Sequence, residues 1–248
     1  MTIPRRDWTP GRRTSAALAV HLLGMTELDS ALALQDRIAG EIAERSDSYG
    51  VLLLCEHPNG VTIGRDGSAA DLLVDRGELA AREVAVRWVH RGGGAWAHHP
   101  GQLVAYLVLP VTRLGWTAPE YRSRLSRALD SLGTEHRVLS YSSQIPGLTG
   151  RCGQLGFIGA SVSDGVSKFG GCLNVAVPRP ALHMIHWGDG VRPTSLAAER
   201  MRPTGMASLR ECWIRHLAAA CDYDQVHVRT GHPLLQPTTR RMFVLAEN

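Results

Sequence analysis

Apolar residues recur along this chain with two different periods, and the switches between them divide it into elements. Over residues 26–45 the spacing is helical. Leu28, Leu32, Leu34, Ile38 and Ile42 gather mostly on one face, with Asp and Glu near both ends, which predicts an amphipathic helix. Residues 119–132 repeat the pattern, with Tyr121, Leu125, Leu129 and Leu132 inward, and residues 207–220 predict a third helix. Shorter helices are expected at 75–82 and 195–200. Apolar runs at 17–23, 51–55 and 103–109, and an alternating run at 84–89, predict strands. Residues 155–162 and 166–175 flank Ser163-Asp164-Gly165, and the Asp-Gly pair predicts a hairpin because both residues accept tight-turn backbone. Pro58-Asn59-Gly60 and Pro110 end two of the strands, and 140–153 reads as a Ser/Gly/Pro-rich loop. With no internal repeat or linker, this order predicts a single α+β domain over residues 15–229. A flexible arm is expected at 1–14 and a tail with two prolines at 230–248.

Composition narrows the class. The 248 residues are 44% hydrophobic and 20% charged, values of an ordinary soluble globular protein. No apolar run is long enough to span a membrane, and the basic residues near the start are not followed by a signal-type apolar stretch, so a cytoplasmic protein is expected. The five cysteines, at 55, 152, 172, 212 and 221, include no CxxC pair. Neither a disulfide framework nor a metal site is expected from that spacing. The net charge is +4, and Lys168 is the only lysine. No basic run is interleaved with aromatics, so nucleic acid is not an expected partner, whereas an acidic protein would suit the charge.

The stretch richest in candidate chemistry runs from Arg91 through Gly92, Gly93 and Gly94 to His98, His99, Pro100, Gly101 and Gln102. Three glycines allow close backbone approach to a ligand and leave N–H groups exposed. An arginine opens the loop and an imidazole closes it, which could set a cation, hydrogen-bond donors and a titratable group around one pocket. A strand follows the glycines, so this is not a dinucleotide fingerprint, and no Gly-Lys-Ser/Thr follows, so it is not a phosphate-binding P-loop. A glycine-rich hairpin loop without a site fits the composition equally well.

Arg91-Gly92-Gly93 followed by His98, Pro100, Gly101, Gln102, Leu103 and Val104 resembles the signature of the lipoyl(octanoyl) transferase family. Further blocks resemble that family in order: Glu56-His57-Pro58 with Thr62-Ile63-Gly64-Arg65, Phe157-Ile158-Gly159, Gly170 with Leu173-Asn174-Val175, and Thr194-Ser195-Leu196. The resemblance implies the biotin/lipoate protein ligase catalytic-domain fold, a mixed, mostly antiparallel sheet flanked by helices. It implies movement of an octanoyl or lipoyl group from acyl carrier protein to a lysine of a lipoyl domain. The acceptors would be 2-oxoacid dehydrogenases or the glycine cleavage H protein. No cofactor is implied. A cysteine of the family attacks the carrier thioester, and a nearby lysine lowers the thiol pKa. Carried over, Arg91, Gly92, Gly93, Gly94 and His98 should line a narrow acyl slot, with Phe157, Ile158, Gly159, Gly170, Gly171 and Cys172 as its strand walls.

Both positions of the implied catalytic pair depart from the family. Gln154 stands where the resemblance implies the lysine, and Trp187 where it implies the cysteine. Phe169 replaces a histidine, and Trp96-Ala97 replaces Thr-Tyr. Several routes follow. Cys172 could be a relocated nucleophile with Lys168 as its helper, although an extended strand separates them by ~13 Å; Cys172 as a small buried residue is the competing reading. Cys152 is a second thiol candidate. Transfer could be direct, with His98 or His186 as base. The chain could also bind an acyl group, a lipoyl domain or carrier protein as a pseudoenzyme. An ATP-dependent lipoate ligase is disfavoured by the missing lysine. Whether the chain is an enzyme is left open by these residues.

Overall fold

The computed structural model describes residues 16–235; the expected arm at 1–14 and most of the expected tail lie outside the described residues. The described residues form ten strands and six α-helices. In order they are β1 (Ala17–Met25), α1 (Leu28–Glu44), β2 (Gly50–Glu56), β3 (Gly60–Ile63), α2 (Arg76–Ala81), β4 (Ala85–Trp88), β5 (Ala95–His98) and β6 (Gln102–Val108). There follow α3 (Ala118–Glu135), β7 (Gly147–Gly150), β8 (Gly153–Ser163), β9 (Val166–Asn174), α4 (Arg179–Leu182), α5 (Leu196–Arg200), α6 (Met206–Ala220) and β10 (Gln225–Thr230). Seven strands form one sheet in the order β10-β1-β2-β6-β9-β8-β7; β4, β3 and β5 form a second. Parallel pairing is confined to β10-β1-β2 in the large sheet, and the pairs from β2 to β7 are antiparallel.

The large sheet is covered on both faces, which is why its central strands read as unbroken apolar runs rather than alternating ones. Leu52, Leu54, Leu103 and Leu107 point to one layer, shared with Leu125 and Leu129 of α3 and Trp213 of α6. Leu53, Cys55, Val104 and Tyr106 point to the opposite layer, shared with α1 and the small sheet. The second layer is where the glycine loop lies. Helix α3 starts as its sequence dictates: Thr117 accepts a hydrogen bond from Glu120 N, and a proline occupies the first turn, where no N–H is needed.

Four strands are absent from the elements predicted above. β3 follows directly on the Pro-Asn-Gly break, β5 lies within the supposed glycine loop, β7 lies within the supposed Ser/Gly/Pro loop, and β10 closes the sheet edge. β10 runs to Thr230, one residue past the expected domain boundary, and Gly231 beyond it donates to Leu22 O. Among the described residues no helix is long and apolar enough to cross a membrane.

Candidate active site

The glycine loop joins β4 to β5 and is pressed against β8. Gly92 N donates to Ala160 O at 3.3 Å, and Arg65 N donates to Arg91 O at 3.0 Å. The approach is close enough to need glycine on the strand as well. A Cβ on Gly159 would lie 2.6 Å from Gly92 O and 2.7 Å from the Trp96 ring. Residues 91–98 and 157–172 therefore pack against one another.

Arg91 anchors the loop from inside. It is 1% exposed. It donates to Thr62 O and Oγ1 at 2.8 Å each and to Gly92 O at 3.0 Å, and its guanidinium stacks 3.9 Å from the Trp96 ring centroid. Burial lowers its pKa to about 9. These donors serve the protein backbone and a hydroxyl, so the arginine braces β3 against the loop.

His98 is equally occupied. Its Nε2 lies 3.0 Å from Thr62 Oγ1 and its Nδ1 2.8 Å from Gln102 Oε1. Burial, with His57 and Arg91 nearby, pushes its pKa well below the usual imidazole value, so the ring is neutral. The chain of bonds continues from Gln102 Nε2 to Asn174 Oδ1 at 2.9 Å and from Asn174 Nδ2 to Thr194 O at 3.1 Å. Beside it, His57 lies 2.8 Å from the Tyr106 hydroxyl and 2.7 Å from Thr26 O, and burial lowers its pKa to about 4. This polar network joins β3, β5, β6 and β9 with segment 194, and its members Thr62, Tyr106, Gln102 and Asn174 were not singled out as site residues from sequence. The signal was indirect: Gln102 and Asn174 belong to two motif blocks that the topology pairs, since Gln102 faces Asn174 across β6 and β9.

The expected slot is filled. Phe157 and Trp187 stack with centroids 4.4 Å apart and planes 32° apart, and the Trp96 ring lies 6.3 Å from Phe157. The Trp187 indole is fixed by donation to Leu182 O at 2.6 Å. The neighbouring cavity among Leu32, Arg91, Trp96, Tyr106 and Phe169, which neither Phe157 nor Trp187 lines, is about 10 Å³. That is roughly one water, against about 300 Å³ or more for a small-molecule pocket. Ile158 is not a wall of this space: strand alternation turns it into the opposite core layer with Trp213.

The positions of the implied cysteine and lysine are both neutral and satisfied. Gln154 is 2% exposed, donates to Ile145 O and Gly156 O at 3.2 Å each, and accepts from Ser143 Oγ at 3.0 Å. Cys172 is fully buried opposite Phe157, and burial pushes its thiol up to about 12 against the weaker pull of Arg91. Lys168 is not brought to it: the ammonium pairs with Asp36 of α1 at 2.8 Å on a partly exposed surface. Cys152 is partly exposed and its backbone N is held by Glu199 at 2.7 Å. His186 is exposed and faces Asp189 at 3.5 Å.

The profile of the lipoyl protein ligase A/B catalytic domain matches residues 28–220. An octanoyltransferase of Roseiflexus sp. is 33% identical over 226 residues, covering 86% of this chain and 91% of the relative. One from Pseudomonas putida is 31% identical over 223 residues, covering 90% and 93%. Among solved structures, lipoate-protein ligase A bound with ATP superposes with a TM-score of 0.67 at 13% identity, covering 87% of this chain and 90% of that one. A lipoate protein ligase of T. acidophilum with bound lipoic acid gives 0.65 at 14%, with the same coverage. Profile, full-length relatives and fold agree, and the chain belongs to the lipoyl protein ligase A/B catalytic-domain family.

Proposed function

We propose that the chain acts in the cytoplasm at the acyl-transfer step of protein lipoylation, passing an octanoyl or lipoyl group directly from acyl carrier protein to a lipoyl-domain lysine. No acyl-enzyme forms. The observation that carries this reading is the retained frame: Arg91 and the glycines lie against Gly159, while full-length relatives are octanoyltransferases. Direct transfer is favoured over a thioester intermediate by the state of the thiols. Cys172 is buried and protonated, Lys168 is engaged by Asp36, and Trp187 offers no nucleophile. Alignment of thioester and amine would then supply the rate. His98 has both ring nitrogens occupied and acts as a positioning residue; the exposed His186 beside Trp187 is the better proton acceptor. Entry of the acyl tail requires the Trp187 indole to leave the Phe157 ring.

A second reading is favoured by the closed slot itself. With about 10 Å³ in the neighbouring cavity lined by Arg91 and Trp96, the chain would bind a lipoyl domain or carrier protein without transferring anything. One experiment separates the two. The protein is incubated with octanoyl-acyl carrier protein and an apo lipoyl domain, and intact masses of all three are recorded. Octanoyl gain by the lipoyl domain, with no adduct on the chain, supports direct transfer. No gain, with saturable binding of a partner, supports the binder. A hydroxylamine-labile adduct on the chain contradicts both.

A further inference from the structure

Away from the slot, helices α3 and α6 bring together three side chains that the transfer reading does not use. Glu135 is the last residue of α3; Cys212 and His216 lie four apart on α6 and so share one face of that helix. One donor atom from each, a carboxylate oxygen, a thiol sulfur and a ring nitrogen, all lie within 4.8 Å of one another. His216 Nε2 is 3.0 Å from Glu135 Oε2. We propose that Glu135, Cys212 and His216 form a binding site for a borderline divalent transition metal such as zinc.

The donor set argues for that class. Thiolate and imidazole select zinc-like ions over magnesium or calcium, which take oxygen ligands, and a carboxylate is the common third donor. A centre about 2.0–2.3 Å from each atom is what such ions need, and three donors mutually within 4.8 Å can meet it by small rotamer adjustments. Three protein ligands leave the fourth tetrahedral position to water. Binding transfers the thiol proton to solvent as the sulfur–metal bond forms, with no change of oxidation state. Arg215 donates to both oxygens of Glu135, at 3.1 and 2.8 Å. A carboxylate has about four lone-pair positions, so these two bonds orient the group and leave it able to accept a metal. The arrangement has no CxxC spacing, because its ligands come from two helices.

Cobalt(II) titration of the full-length chain tests the site, because a cobalt–thiolate bond gives a charge-transfer band in the near ultraviolet. A one-to-one band is expected in the wild type and in Cys152→Ser. It should be lost in Cys212→Ser, and affinity should fall at least about tenfold in His216→Ala. His216 is only half-buried, so that variant is expected to fold even where Cys212→Ser does not. Zinc should raise the melting temperature of the wild type, and that of His216→Ala by less at the same zinc concentration. Absence of the band in the wild type would overturn the proposal, as would its survival in Cys212→Ser or unchanged affinity in His216→Ala.

Discussion

The two ends of the candidate site are built on different principles. At the Arg91–His98 end, polar side chains are buried and nearly every donor finds an acceptor within the protein: arginine to Thr62, histidine to Thr62 and Gln102, glutamine to Asn174. At the Gln154–Trp187 end, an amide and an indole stand where the family resemblance implies a cation and a thiol, and the indole stacks on Phe157. The first end holds strands together whatever chemistry follows. The second end carries the two departures that the family resemblance marks. The two ends meet at Thr194, whose carbonyl accepts from Asn174 and whose N donates to Gln154 O at 2.9 Å, while the side-chain hydrogen bonds of Gln154 and Trp187 go to other partners.

The comparison is broken most severely at the indole. Trp187 is 7% exposed and packed on Phe157, so Trp187→Ala should cost about 3–5 kcal/mol. It should also open a cavity that takes up octanoate. Urea unfolding and calorimetry check the two effects, and a stable variant that binds nothing would argue against a plugged slot.

Acid should weaken the opposite end. His57 binds a proton at about 4 in the folded protein against the ordinary 6.5, so the unfolded chain takes up the proton first as pH falls. Its contribution is complete above 6.5 and is lost as pH drops toward 4, by about 3 kcal/mol from this group, with His98 acting in the same direction. Urea midpoints across that window should show the loss, and His57→Gln should flatten it.

Smaller effects sharpen the role of the strand thiol. Cys172→Ser places a hydroxyl in an apolar site and should cost about 2 kcal/mol, while leaving acyl transfer to the lipoyl domain unchanged. Loss of transfer at unchanged stability would return Cys172 to the mechanism. Lys168→Ala removes a partly exposed pair with Asp36 and should shift stability by no more than about 1 kcal/mol, with no effect on transfer.

What could be read from the chain follows from locality. Strands β2, β6, β8 and β9 declared themselves as apolar runs because both faces of the sheet are covered, and the Asp164-Gly165 turn fixed the β8–β9 hairpin. β10 was illegible: all six of its residues are exposed, and it is defined by parallel pairing to β1, some two hundred residues away. β3 and β5 are four residues each and exist through one another, so neither carries a periodic signal alone. At the candidate site, motif order pointed to Arg91, Gly159 and Cys172, and Gly159 packs on Gly92 beside the loop that Arg91 opens. Side-chain partners were beyond it. That Arg91 serves Thr62, that Lys168 turns to Asp36, and that Trp187 stacks on Phe157 depend on neighbours supplied by other elements.

The central claim, that an intact acyl-transfer frame surrounds a replaced reactive corner, is tested most directly by restoring that corner. The double variant Trp187→Cys with Gln154→Lys is mixed with octanoyl-acyl carrier protein, and the intact mass of the chain is recorded. A single octanoyl adduct, removed by hydroxylamine and absent from the wild type, is the predicted result. A folded double variant that acquires no adduct would contradict the account.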